Sequence, residues 1–315
     1  VKPVTSIAVN DEAHWHELRR RHVGGSEVAA LFGEHAQLTA WELWQIKAGK
    51  LPEHDLSDNE RVLWGSLIEP AVAQGVSRLM GWQLRKVRRY LVHPTVPGFG
   101  GTPDYEIINH ERGPGILEIK TVDRMIFRDW GDEPPLGYLL QLQSYLELRG
   151  CAWGAIAVLV GGNELQQPYI YERRPKTGAM IRDAVAGFWQ SQQDGLAPPM
   201  DFDRDGAALS RLYVDSDGGS HDLTGNNRLP ELFHAYKGAA AQEKEAGAAK
   251  DAAKAEIMSI IETREIVTCA GWKLTARTVP ESPISYVRKP YRTFSLTPPK
   301  EKKNVEPDAR QNQAA

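Results

Sequence analysis

Residues 100–122 read GGTPDYEIINHERGPGILEIKTV, and this stretch constrains the fold more than any other. Tyr105 to Ile108 and Ile116 to Val122 have the composition and alternation of strands, and the turn residues NHERGPG between them allow a hairpin. Side chains of a strand alternate between faces, so Glu118 and Lys120 share one face while Ile119 points to the other, toward a core. Asp104 stands at the start of the preceding strand. If the strands pair, Asp104 and Glu118 converge, placing two hard carboxylate oxygens beside an ammonium group. Magnesium keeps several waters and takes one or two carboxylates plus phosphate oxygens, so such a point suits phosphoryl chemistry, with Lys120 able to orient or deprotonate the attacking water. Taken alone, however, Glu-x-Lys is more often the outward face of a solvated strand.

The flanking sequence supplies the layers. Ser26 can cap a short helix, EVAALFG, and Thr39 another, AWELWQIKAG; a third helix spans about Asp58 to Met80. Leu84 to Val92 alternates as a strand, Leu136 to Arg149 is helical with Gly150 as its stop, Trp153 to Val160 is a buried strand, and Thr177 to Gln192 is an amphipathic helix. Residues 1–200 therefore form an α/β or α+β domain. The Asp-, Gly- and Ser-rich stretch 201–228 reads as a linker, and 229–280 as a helical extension with two short strands around Gly271. Residues 281–315 are rich in Pro and charge and read as a flexible tail. In that tail Tyr286, Arg288, Lys289 and Arg292 offer contacts to DNA or a partner protein, solvation being the commoner fate of such residues.

Charge and composition narrow the partners. The chain has 315 residues with 38 Lys and Arg against 41 Asp and Glu, a net charge of −3, which argues against a general nucleic-acid coat but leaves room for a local positive groove. No acidic residue lies between Glu69 and Asp104, whereas Arg78, Arg85, Lys86, Arg88 and Arg89 do; they could hold a phosphate backbone or simply line an exposed strand. Two cysteines exclude, within one chain, a disulfide framework, a four-cysteine zinc site and a Cys-ligated iron–sulfur cluster. No apolar run approaches a membrane span, and the predicted location is a reducing cytoplasm.

Five elements in register complete the pattern: RRRHVGGSEVAALFG, LWGSLIEP, GTPD, LEIKT and YLLQLQSYL. Together they resemble the YqaJ-type viral recombinase family, which is similar to phage lambda exonuclease within the PD-(D/E)XK nuclease superfamily. The likeness covers roughly residues 15–195. It implies an α/β (α+β) restriction-endonuclease-like core, a mixed central sheet flanked by helices, with a helical C-terminal extension. By position, Glu69, Asp104 and Glu118 become metal-binding carboxylates with the Ile119 carbonyl as an extra ligand, Lys120 the catalytic lysine, and Gln141 the residue that places the water or scissile phosphate. Arg19 and Ser26 match the grip on a terminal 5′-phosphate, with Arg20 or Arg21 as substitutes for Arg19 and a plain helix cap as the alternative for Ser26. Arg85, Arg88, Arg124 and Arg128 are further candidate DNA contacts.

The implied activity is metal-dependent digestion of the 5′-ended strand of linear double-stranded DNA, by Mg2+ with Mn2+ able to substitute and two ions per site, leaving 3′ overhangs for a single-strand annealing protein. The implied assembly is a ring-shaped homotrimer. The rivals are another PD-(D/E)XK nuclease of RecB-like or endonuclease type, and a noncatalytic DNA-binding scaffold for recombination.

Overall fold

The computed structural model describes residues 5–55, 58–288 and 290–296, so Lys289 and the expected tail beyond 296 lie outside the described residues. Strand β1 (Thr5–Ala8) precedes four helices: α1 (Glu12–Arg20), α2 (Gly25–Leu31), α3 (Ala40–Lys47) and α4 (Glu60–Met80). Thr39 caps α3 as its sequence predicts, its hydroxyl accepting from the Glu42 N–H at 3.0 Å. Ser26 is not a cap: Gly24 takes that position, and the side chain of Glu27 reaches back to accept from the Gly24 N–H at 2.8 Å.

Next come β2 (Leu84–Lys86), β3 (Arg89–Val92), β4 (Gly100–Gly101), β5 (Tyr105–Ile107) and β6 (Gly115–Val122). The single strand expected over Leu84 to Val92 is two strands in different sheets, because β2 pairs with β5 whereas β3 pairs with β1 and β4. The chain leaves the first sheet after the Val87 N–H has bonded the Asp104 carbonyl at 3.1 Å. The predicted β5–β6 hairpin is present, with Tyr105 opposite Leu117.

The remaining elements of this unit are α5 (Arg124–Arg128), α6 (Leu136–Arg149), β7 (Trp153–Val160), β8 (Glu164–Leu165), β9 (Tyr169–Glu172), α7 (Pro175–Asp194) and α8 (Gly206–Leu212). Gly150, with a φ of 73°, ends α6 in the left-handed conformation that favours glycine. The main sheet runs β2-β5-β6-β7-β8, with β9 also paired to β7. Only β6 and β7 are parallel, so the sheet is mixed, and the long helix α6 provides the crossover between them.

Alternation along β6 divides the core into two layers. Leu117 and Ile119 pack with Val72, Ala73 and Val76 of α4 on one face. Ile116 and Val122 join Val28 of α2, Leu142 and Tyr145 of α6, and Ile181 and Val185 of α7 on the other. The sheet is thus covered by helices on both faces, which is why β7 is buried along its whole length.

By compactness the chain divides at residue 212 into units Val1–Leu212 and Tyr213–Ala315. Helix α8 lies within the stretch read as a linker, yet Ala208 packs with Trp41 and Leu51, and the fully buried Asp205 accepts from the Thr39 hydroxyl. The second unit holds α9 (Arg228–Ile261), a largely exposed 34-residue helix, and the antiparallel hairpin β10 (Ile266–Cys269) and β11 (Trp272–Thr275) that its sequence predicts around Gly271. Among the described residues no helix is long and apolar enough to cross a membrane.

Candidate active site

The pairing of β5 with β6 stops at Tyr105, one residue short of Asp104, and there the Asp104 side chain takes over: its Oδ2 accepts from the Ile119 N–H at 2.8 Å. Asp104 is therefore fixed beside Glu118 and Lys120, which share the face of β6 that looks onto α6. From α6, Gln141 closes the cluster. Its Nε2 donates to Glu118 Oε1, and its Oε1 accepts from Lys120 Nζ at 2.8 Å. Lys120 Nζ also donates to Glu118 Oε1 at 3.1 Å and sits 4.9 Å from the centroid of the Tyr138 ring, whose electron-rich face favours an ammonium group.

Glu118 is only 3% exposed, and its Oε2 has no hydrogen-bond partner although it is shut off from solvent. Burial, and next to it the Asp104 charge, push its carboxyl up to about 8. Burial also raises Asp104, against the opposing pull of the Ile119 N–H and Lys120. Lys120 is raised as well: burial would lower it, but the neighbouring Glu118 and Asp104 together outweigh burial and hold the ammonium charged. Two carboxylates and one ammonium in a dry site leave one negative charge unbalanced, and either a proton or a cation can balance it.

Glu69, on α4, stands apart from this pair. It binds Lys86 Nζ and hydrogen-bonds the Tyr105 hydroxyl, although its charge still reaches Asp104 and Glu118. Among the described residues no group of three or more His, Cys, Asp or Glu side chains is gathered to hold a metal ion. Asp104 and Glu118 alone do fit one. Magnesium is commonly held by one or two carboxylates together with substrate phosphate and water, and a buried carboxylate oxygen without a donor is a ready ligand.

The other sequence-derived residues take varied positions. Arg19, in the last turn of α1, bonds Glu27 at 3.2 Å and covers the Trp15 ring at 4.7 Å, while Ser26 is exposed in the first turn of α2. Arg85 is paired with Glu106, and Arg124 with Glu164 at 2.8 Å. Arg88 and Arg128 are exposed and without a hydrogen bond or ion pair among the described residues.

Three residues that sequence reasoning gave no role complete the surroundings. Tyr145, one turn after Gln141 on α6, hydrogen-bonds it and is buried against Gly25. Helical spacing already puts Tyr145, with Tyr138, on the Gln141 side of α6 in the sequence, though it assigns neither a role. Glu27 and Lys47 form a buried pair at 2.8 Å that also holds Arg19, and Lys47 Nζ donates to the Arg19 carbonyl at 2.8 Å. The hint was an acid set within the apolar run VAALF and its flanks, where a solvated residue has no room.

A mixed sheet sandwiched by helices, with Asp104, Glu118 and Lys120 presented at the end of one strand pair, defines a protein of the PD-(D/E)XK nuclease superfamily. Residues 14–152 match the model of the YqaJ-like viral recombinase domain. Over 231 residues the chain is 31% identical to the uncharacterized protein YqaJ of Bacillus subtilis (strain 168), covering 70% of this chain and 71% of that one. The chain belongs to the YqaJ-like viral recombinase family. Among solved structures, the alkaline exonuclease LHK-Exo of Laribacter hongkongensis aligns with a TM-score of 0.48 and 21% identity, over 63% of this chain and all of that one. A phage-related exonuclease of Haemophilus somnus 129PT aligns with a TM-score of 0.41 and 13% identity, over 55% of this chain and 96% of that one.

Proposed function

We propose that this protein is a metal-dependent exodeoxyribonuclease that removes the 5′-ended strand of linear duplex DNA and leaves a 3′ overhang for a single-strand annealing protein. The observation that carries the reading is the partnerless Oε2 of Glu118, buried beside Asp104 and within one hydrogen-bonded cluster with Lys120 and Gln141. A structural ion pair satisfies its oxygens; this cluster leaves one for a ligand. Membership of a viral recombinase family supports the place in recombination.

Asp104 and Glu118 would hold Mg2+ or Mn2+, and the Ile119 carbonyl, on the same strand edge as the N–H that Asp104 accepts, would add a third oxygen. When bound, the metal, two ions per site in this reading, supplies positive charge to the phosphate as its transition state forms and makes water a better nucleophile. Lys120, held between Glu118, Gln141 and the Tyr138 ring, is placed to orient the attacking water and to meet negative charge on the phosphate. Gln141 fixes that lysine and offers its amide to the water or the scissile phosphate. Glu69 assists through its charge, and approaches the metal only if Lys86 releases it.

For the DNA end, Arg19 and Ser26 form the 5′-phosphate grip: Arg19 retains donors beyond its bond to Glu27, and the Ser26 hydroxyl is exposed. Arg88 and Arg128 are the cations available to the DNA backbone, whereas Arg85 and Arg124 would have to exchange a carboxylate for phosphate. A trimeric ring would bring several such surfaces around one duplex, offsetting a net charge of −3 per chain.

The experiment is digestion of end-labelled linear duplex with Mg2+ or with EDTA, followed by sizing of the products. Metal-dependent loss of label from the 5′ end, with single-stranded product accumulating, is expected. Duplex that survives intact with Mg2+ and with Mn2+ overturns the reading in favour of a noncatalytic scaffold.

A further inference from the structure

The second structural unit carries chemistry that the nuclease site does not use. From Ser282 to Leu296 the sequence contains Arg288, Lys289 and Arg292, three aromatic residues and no acid. Its described residues form neither helix nor strand, and the rings lie open: Tyr286 is 72% exposed and Tyr291 61%. The third ring, Phe294, packs edge-on against Tyr236 of α9 with centroids 5.1 Å apart, which anchors the segment within its own unit.

Tyr286 and Tyr291 are not scattered. The Arg288 guanidinium donates to the Tyr286 hydroxyl at 3.3 Å and to the Tyr291 hydroxyl at 3.4 Å, and lies 5.6 Å from the Tyr291 ring centroid. Arg288 and Tyr291 line an open cleft of about 610 Å³ with Pro290, Val214, Asp215 and Ser216. Flat groups at its wall offer stacking faces, and the Asp215 carboxylate and Ser216 hydroxyl bring polar atoms that suit base edges better than phosphates.

We propose that Tyr286, Arg288 and Tyr291, with Arg292 beside them, form a grip for single-stranded DNA. Cations interleaved with exposed rings match a polymer that alternates phosphates with flat bases, and the absence of acids from Ser282 to Leu296 supplies the charge complementarity. A duplex hides its base faces in the stack and cannot use the rings. A protein partner would favour a continuous apolar surface, which the interposed cations interrupt. The choice of DNA rests on the nuclease reading above, since a single strand is what that activity produces.

The test uses the full chain in EDTA, so that no catalysis is needed, with fluorescence anisotropy of a labelled oligothymidylate of about twenty nucleotides and of a blunt DNA hairpin. The Tyr286→Ala/Tyr291→Ala variant is expected to bind the single strand about tenfold or more weakly than wild type, the hairpin being unaffected, while Tyr291→Phe retains affinity. Arg292→Ala should lower the slope of log affinity against log salt by about 0.7. Circular dichroism checks that each variant is folded. Wild-type affinity for the oligothymidylate in the double alanine variant overturns the inference, including the case where the segment is then found to dock a protein. A wild-type chain that fails to digest duplex with Mg2+ yet loses oligothymidylate binding in the double variant overturns the nuclease reading alone.

Discussion

Asp104 accepts the backbone N–H of Ile119 through Oδ2, so one carboxylate of the site takes over where the strand ladder stops. This bond spends one oxygen of Asp104 on positioning, and it orients the carboxyl beside Glu118 without a second side chain to hold it. The site is thus assembled by backbone geometry first: β5 and β6 must pair in the observed register before the two acids can meet.

That dual use separates two substitutions. Asp104→Asn keeps an acceptor for the Ile119 N–H and should fold with nearly wild-type stability, while Asp104→Ala leaves a donor unpaired in a part-buried place and should cost about 1–3 kcal/mol. Both should lose Mg2+-dependent digestion by about a hundredfold or more, as should Lys120→Ala. Urea unfolding and end-label digestion, run on the same preparations, check both halves. Asparagine activity close to wild type would remove Asp104 from the metal site.

Glu118 gives the metal-free protein a pH signature. Its carboxyl is raised from the ordinary 4.5 to about 8, by burial and then by Asp104, so between those values the folded state holds a proton that the unfolded chain releases. Stability in EDTA should therefore fall as pH rises from about 4.5 to about 8, and Glu118→Gln, which has no proton to lose, should flatten that fall. Mg2+ or Mn2+ should bind more tightly as pH rises over the same range, because binding displaces the proton. Thermal melts of wild type and Glu118→Gln across this range, with and without metal, read both effects. A wild-type slope equal to that of Glu118→Gln contradicts the assignment.

The strand pair carrying this site was legible because period-two alternation fixes which side chains share a face: Ile119 does point to the α4 layer, and Glu118 and Lys120 away from it. Helix α6 and its glycine stop were legible for the same local reasons. The split of residues 84–92 between two sheets was not, since it depends on which partners the backbone finds at long range. Nor was the isolation of Glu69: the sequence shows an acid at the position that the family resemblance assigns to a ligand, but not that Lys86 and Tyr105 would bind it first. Ser26 looked like a cap because capping chemistry is local, whereas Glu27 wins the Gly24 N–H through a side chain already held by Lys47.

Gly25 meets Tyr145 so closely that a Cβ would lie 2.6 Å from the ring. Gly25→Ala must push aside either α2 or a tyrosine that hydrogen-bonds Gln141. Overpacking of this kind costs about 1–3 kcal/mol, and the displacement should also lower the rate of digestion. Urea denaturation gives the first quantity and single-turnover digestion the second. An unchanged rate in a destabilised variant would show that Tyr145 packs without positioning Gln141.

The last expectation concerns the buried pair that holds α2 against α1 and α3. The Lys47 side chain is 1% exposed and bonds Glu27 and the Arg19 carbonyl, so replacing it leaves the buried Glu27 charge with Arg19 alone. Lys47→Met should cost up to about 3–5 kcal/mol, the upper end being what a buried charge left wholly unbalanced would cost and Arg19 offsetting part of it. Burial opposes the charge on Glu27, but Lys47 and Arg19 outweigh it and hold the carboxyl below its ordinary 4.5. A lowered carboxyl stabilises the fold above the unfolded value and loses that contribution as pH falls through the folded one. Wild-type stability should therefore drop below about pH 4.5 more steeply than that of Glu27→Gln, which starts lower and has no such proton to bind. Because Arg19 is bonded to Glu27, the Glu27→Gln variant also loosens the guanidinium proposed to grip the DNA end, so its preference for 5′-phosphorylated over 5′-hydroxyl duplex should shrink. Urea titrations at several acidic pH values read the stability, and rates on the two end types read the grip. Parallel stability curves for wild type and Glu27→Gln would show that the folded protein does not hold the Glu27 carboxyl below its ordinary value.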